Sequence, residues 1–274
     1  MHDQAVKAAT FRELHARPRP FLIPNPWDRG SALILESMGF EALATTSLGV
    51  ANMLGQTGVT LRQVLDNCRE ICEATRLPVN VDLENCFADD PREAARAIRL
   101  ASEHGAVGGS IEDATGDPQK PIYDFTLAVE RVQAAAEVAR SLPVPFMLTA
   151  RAENFLKGRR DMDDTIRRLQ AFEAAGADVL YAPGLHSLAE IRAVTSALKK
   201  PFNLVMGFAD PTITLDQLGE AGVRRVSIGG GLSRVALKAF MDAARQMREG
   251  RFAFITAMAS IEELRSAFQR PPRP

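Results

Sequence analysis

The sequence predicts an α/β chain folded as a (β/α)8 barrel with an extra C-terminal helix or helices. Three observations predict it. Strand signals of two kinds alternate along the 274 residues, amphipathic segments separate most of them, and the count closes at eight with no strand left over. An open dinucleotide-binding sheet fits less well, because no G-x-G-x-x-G follows the first strand.

In order, the first strand signal is Pro20-Phe21-Leu22-Ile23, running on to Asn25, and the second is Gly39-Phe40-Glu41-Ala42-Leu43. The third and fourth are Pro78-Val79-Asn80-Val81 and Gly105-Ala106-Val107-Gly108, followed by Pro145-Phe146-Met147-Leu148 and Gly176-Ala177-Asp178-Val179-Leu180. Pro201-Phe202-Asn203-Leu204 and Gly222-Val223-Arg224-Arg225-Val226 complete the set. Glycine belongs before every second strand because a helix often ends on a left-handed residue. Between strands, residues 92–104 place Ala95, Ile98 and Ala101 at helical spacing, and residues 163–175 do the same with Ile166, Leu169 and Phe172. Gly229-Gly230-Gly231 is either a tight strand-to-helix connection or an anion-binding loop. Residues 1–250 thus form the expected barrel and 251–274 an apolar, helical extension ending in Arg270-Pro271-Pro272-Arg273-Pro274. That extension must cover something, either its own barrel or a neighbouring subunit with which it is exchanged; a homo-oligomer, dimer or tetramer, is expected.

A balance of 33 Lys and Arg against 34 Asp and Glu gives no electrostatic case for nucleic acid or a membrane surface. Three cysteines fit neither a disulfide framework nor a zinc site, and the N-terminus lacks a basic segment followed by an apolar one. These features point to a cytoplasmic protein with a small-molecule ligand.

Strand parity assigns side chains to the barrel interior, since those facing the helices must be apolar. In Val79-Asn80-Val81-Asp82-Leu83-Glu84 the valines and leucine face the helices, which sends Asn80, Asp82 and Glu84 inward. Ile111 outward puts Glu112 inward; Phe146, Leu148 and Ala150 outward leave Met147, Thr149 and Arg151 inside. Asn25, Asn203 and Ser227 join them. Asp82, Glu84, Glu112 and Arg151 fall at carboxyl ends of strands, where barrels of this class place their active sites. Buried acids repel one another, so they need Arg151 plus a divalent cation with hard oxygen ligands, Mg2+ or Mn2+, unless they form a metal-free acid and arginine network.

Ser47-Leu48-Gly49, Val81-Asp82-Leu83-Glu84, Ser110-Ile111-Glu112-Asp113 and Thr149-Ala150-Arg151-Ala152-Glu153 together resemble the isocitrate lyase and phosphoenolpyruvate mutase superfamily, from about Ile23 to Gly229. The resemblance implies a Mg2+-dependent lyase or hydrolase that cleaves a C–C or P–C bond in a small 2-oxo or 2-hydroxy carboxylate through an enolate. By it, Asp82 binds the metal directly, Glu84 and Glu112 bind it through water, and Arg151 contacts the substrate. Ser47 and the amides of Leu48 and Gly49 cradle a carboxylate, with Asn203 a further polar contact; an ordinary helix N-cap is the other reading of Ser47. Glu112 and Arg151 are the expected catalytic groups.

Two departures narrow the activity. The superfamily's lyases carry a Lys-Lys-Cys-Gly-His motif where this chain has Asp113-Ala114-Thr115-Gly116-Asp117-Pro118-Gln119-Lys120, without cysteine. That disfavours isocitrate-type cleavage, and Cys86 reads as structural. Gln56 also stands in a stretch where many members carry an acid. Hydrolysis, decarboxylation or retro-aldol cleavage of an oxaloacetate-like or phosphonopyruvate-like substrate is expected, with a mutase reaction or a non-catalytic keto acid-binding barrel as alternatives. Tyr181, Glu153 and His186 are candidate proton carriers by position.

Overall fold

In a computed structural model, residues 2–269 are described. Eight parallel strands form one sheet in the order β1-β8-β7-β6-β5-β4-β3-β2. They are β1 (Phe21–Leu22), β2 (Leu43–Ala44), β3 (Val79–Asp82), β4 (Gly108–Glu112), β5 (Met147–Arg151), β6 (Val179–Tyr181), β7 (Phe202–Val205) and β8 (Arg225–Ser227). The two ends of the sheet meet: the Ala44 amide donates to the Pro24 carbonyl at 3.0 Å. Asn25 fastens the seam, its Nδ2 donating to the Thr45 carbonyl while its Oδ1 accepts the Ile228 and Gly229 amides. The inward Asn25 therefore closes the barrel, and the triple-glycine turn is a strand-to-helix connection whose first amide is already taken.

The helices are α1 (His2–Ala16), α2 (Arg29–Ser37), α3 (Ser47–Leu54), α4 (Leu61–Ala74), α5 (Pro91–Glu103), α6 (Phe125–Ser141), α7 (Met162–Ala175), α8 (Leu188–Ser196), α9 (Leu215–Glu220), α10 (Gly231–Arg248) and α11 (Ile261–Phe268). Side-chain caps start most of them, such as Asp28 before α2, Thr60 before α4 and Asp90 before α5. Gly39, Gly105, Gly176 and Gly222 all have positive φ, between 84° and 108°, as left-handed helix ends require. The core follows parity: Val79, Val81, Leu83, Ile111, Leu148 and Ala150 are buried against helix residues including Ile98, Leu169 and Phe172.

Helix α1 has no counterpart in the sequence reading. It stoppers the amino-terminal end of the barrel, where Phe11 and Leu14 are buried with Phe21, Ala44 and Val107. The His15 ring stands edge-on to Phe11 and to Phe21, at 4.6 Å and 4.9 Å between centroids. Lys7 reaches the carbonyls of Cys72 and Thr75 at the end of α4. Gly108 admits the plug, because a Cβ there would stand 2.8 Å from the Phe11 ring.

At the other terminus the chain leaves the barrel. Ser233 is the only buried residue described on α10, and Leu22 on the outer side of β1 stays 43% exposed. A 3-10 turn at Ala253–Ala257 leads to α11, which lies against α2, with the Phe268 ring 3.9 Å from where a Cβ on Gly30 would sit. The expected helical extension is thus broken in two pieces. Its last residues, Arg270 to Pro274, lie outside the described residues.

Candidate active site

Arg151, at the end of β5, is the hub of the carboxyl-terminal mouth. Its Nη1 donates to Asp82 Oδ1 at 3.0 Å, its Nη2 lies 3.0 Å from Glu112 and 2.8 Å from Glu153, and its Nε donates to Glu153 at 3.0 Å. The guanidinium also sits over the Tyr181 ring, 4.9 Å from its centroid. Strand register explains the convergence: Glu112 pairs with Arg151, and Arg151 with Tyr181, on adjacent strands. Burial works against the Arg151 charge, but Glu112, Glu153 and Asp82 outweigh it and hold its pKa well above normal.

Asp82 is gripped from the other side by Ser47, whose amide and hydroxyl donate to Oδ2 at 3.0 Å and 2.9 Å. Ser110 adds a longer bond to Oδ1 at 3.4 Å. Glu84 follows the strand in a left-handed conformation, φ 49°, and its carbonyl accepts the Glu112 amide. Such a backbone is uncommon for a side chain with a Cβ and marks a constrained position. Burial, reinforced by the Asp82 charge, raises the Glu84 pKa. Burial raises that of Glu112 well above its usual range; Arg151 opposes this, while Glu153, Asp82 and Glu84 add to it.

Beneath this layer runs a chain of buried pairs. The Glu153 amide donates to Asp113 Oδ1 at 2.7 Å, and Arg168 on α7 holds the other oxygen at 3.0 Å. The Asp113 and Arg168 pair went unnoticed in the sequence; Glu153 was visible two residues beyond Arg151 with the same parity. Tyr181 lines the mouth and burial raises its pKa, whereas His186 is exposed and bonded to the Phe208 carbonyl.

The remaining expected residues divide. Ser47 and Leu48 line the mouth as the first residues of α3, and the helix cap is Thr46, whose Oγ1 accepts the Gly49 amide at 3.3 Å. Gly49 is buried behind them, and its amide is engaged. Asn203 lies deeper in the barrel, with Nδ2 on Ser227 and Oδ1 on Arg225. Gln56 is exposed and bonded to Gln63, away from the acids. Cys86 is buried, and burial pushes its thiol up to about 12, which fits the structural role. Lys157 and Arg234 join the lining, the latter from the first turn of α10. Sequence reading missed both, because neither lies on a strand.

The donor set suits a hard divalent cation in composition, with Asp82, Glu84 and Glu112 lining one cavity of about 410 Å³. Among the described residues no three His, Cys, Asp or Glu side chains stand close enough to share one ion directly. No described helix is long and apolar enough to cross a membrane.

Known proteins resemble this chain over most of its length. The phosphoenolpyruvate phosphomutase family model matches residues 11–248. A candidate lyase/mutase of Burkholderia cenocepacia, known by its crystal structure, is 52% identical, with a TM-score of 0.96 over 99% of this chain and 98% of that one. The 2-methylisocitrate lyase of Escherichia coli is 30% identical over 78% of this chain and 75% of its own. The oxaloacetate decarboxylase of Bradyrhizobium diazoefficiens is also 30% identical, over 82% and 79%. From the residues at the mouth and the match across nearly the whole barrel, this chain belongs to the phosphoenolpyruvate phosphomutase family, within a superfamily of lyases and mutases.

Proposed function

We propose that the protein is a Mg2+-dependent enzyme that cleaves a C–C or P–C bond in a small 2-oxo or 2-hydroxy carboxylate. One observation carries the reading: three carboxylates, Asp82, Glu112 and Glu153, pair with the one guanidinium of Arg151 at the strand ends, and Glu84 lines the same cavity. Such an excess of buried negative charge needs a further cation, and the carboxylates offer one hard oxygen ligand with water-mediated support.

Asp82 is the direct ligand in this proposal, with Glu84 and Glu112 holding the metal's water shell. When bound, Mg2+ supplies positive charge to the substrate's carboxylate and neighbouring oxygen. Arg151 faces the same oxygen and stabilises the negative charge that builds there as the bond breaks. Glu153 and Tyr181 fix the guanidinium from behind and below. Ser47, whose hydroxyl and amide meet Asp82, would offer its hydroxyl to the substrate carboxylate with a metal held at Asp82. Lys157 and Arg234 are rim cations for a second anionic group, which fits an oxaloacetate-like or phosphonopyruvate-like compound. The lack of a cysteine in residues 113–120 favours decarboxylation, hydrolysis or retro-aldol cleavage over isocitrate-type chemistry.

The test is turnover of a panel of 2-oxo and 2-hydroxy acids with and without Mg2+. We expect metal-dependent activity on at least one member and a loss of about a thousandfold in Asp82→Ala. Equal activity in that variant, or activity indifferent to chelation, contradicts the proposal.

A further inference from the structure

The mouth is divided. Its acidic half comes from β3, β4 and β5, whereas the opposite side, which also carries Arg234 in the first turn of α10, is lined by Val205 at the end of β7, Phe208 in the loop beyond it, Ile228 after β8 and Leu48 at the start of α3. These four side chains form an apolar arc around the glycine turn at 229–231. Leu48 leans directly on that turn, since a Cβ on Gly230 would stand 2.7 Å from its Cδ2. A Cβ on Gly229 would likewise stand 3.6 Å from Val205 Cγ2. Leu48 and Phe208 remain 50% and 45% exposed in a cavity of about 410 Å³, several times the space that a four-carbon diacid fills.

A short diacid bound at Asp82 and Arg151 would leave this arc wet. Exposed apolar surface continuous with a charged site matches the anatomy of a small-molecule pocket, in which a few polar groups orient the ligand and apolar walls take the rest. We propose that the carboxylate recognised here bears an alkyl or aryl substituent of three or more carbons, which lies along Leu48, Val205, Phe208 and Ile228. This inference rests on the function proposed above and names the substrate class of the same site. Phe208 is the specificity-determining residue, because it is half-exposed, carries the largest apolar surface of the four and stands on a loop outside the barrel core.

Oxamate and its N-methyl, N-propyl and N-benzyl derivatives test it, since each presents the planar, oxalate-like head with a tail of increasing length. Calorimetry on the full chain with Mg2+ should show Kd falling by about fourfold per methylene added between methyl and propyl. Phe208→Ala should flatten that dependence, and Phe208→Asp should reverse it. A Kd that stays constant or rises with tail length while oxamate itself binds overturns the inference and leaves the preceding proposal standing. Failure of oxamate to bind at all in the presence of Mg2+ overturns both.

Discussion

Arg151 concentrates the electrostatics of the site in one side chain, because its planar fork meets three carboxylates at once. Lysine presents a single ammonium and loses that geometry. Arg151→Lys is therefore expected to lower kcat by roughly a hundredfold or more while the protein stays folded, as circular dichroism and steady-state kinetics would show. Gly49 makes a different kind of prediction. A Cβ there meets Thr46 Cγ2 at 2.6 Å and Trp27 Cβ at 3.0 Å, so Gly49→Ala should cost about 1–3 kcal/mol in a denaturant titration. The inward acids were legible in the sequence because alternation has a period of two and helix-facing positions must be apolar. The employment of the Gly49 amide was not, because Thr46 and Ser47 compete for one cap and only the local backbone decides between them.

The loop from β3 to α5 shows how an element holds a residue in place. Glu84, Cys86 and Phe87 all have positive φ, a costly run for residues with side chains. Arg131 on α6 stabilises it: the guanidinium is buried, donates to the carbonyls of Asn85, Ala88 and Asp89, and stacks 4.2 Å from the Tyr123 ring centroid. Tyr123 in turn donates to Asp89. Arg131→Met keeps much of the volume but strands those carbonyls, and should destabilise the protein by about 3 kcal/mol and raise hydrogen exchange in residues 84–90. The α1 plug carries a pH-dependent contribution. Burial, then the Arg225 charge, lowers the His15 pKa from 6.5 to about 3. Between these values the unfolded chain binds a proton that the folded one refuses, so the stability contributed by neutral His15 is complete above pH 6.5 and lost as pH falls toward 3. Denaturant titrations at pH 7 and pH 4.5 should show a larger loss for the wild type than for His15→Gln. Helix α1 escaped the sequence reading because strand punctuation begins only at Pro20, and its packing depends on a non-local partner, Gly108, whose missing side chain makes room for Phe11.

At the scale of the whole molecule, α10 and the chain after it expose Val235, Phe240, Ile255 and Ile261, with Phe240 70% exposed, while the outer side of β1 lies open at Leu22. An exposed apolar helix and an uncovered strand fit exchange of α10 between subunits, beyond the extension at 251–274 for which the sequence carried that expectation. Light scattering should find a dimer or larger assembly, and Phe240→Asp should shift it toward monomer; an unaltered monomer in both would remove the idea. Barrel closure itself was legible, since eight strand signals allow a closed sheet, but the course of α10 was not, because periodicity shows an apolar face without showing what covers it. The chemistry proposed for the mouth of that barrel stands or falls on a crystal structure with Mg2+ and oxalate. One ion is expected on Asp82, with Glu84 and Glu112 reached through water, oxalate between the metal and Arg151, and the Ser47 hydroxyl turned from Asp82 to the ligand. Oxalate bound away from Arg151, or a metal that leaves Asp82 on Ser47 and Arg151, would contradict it.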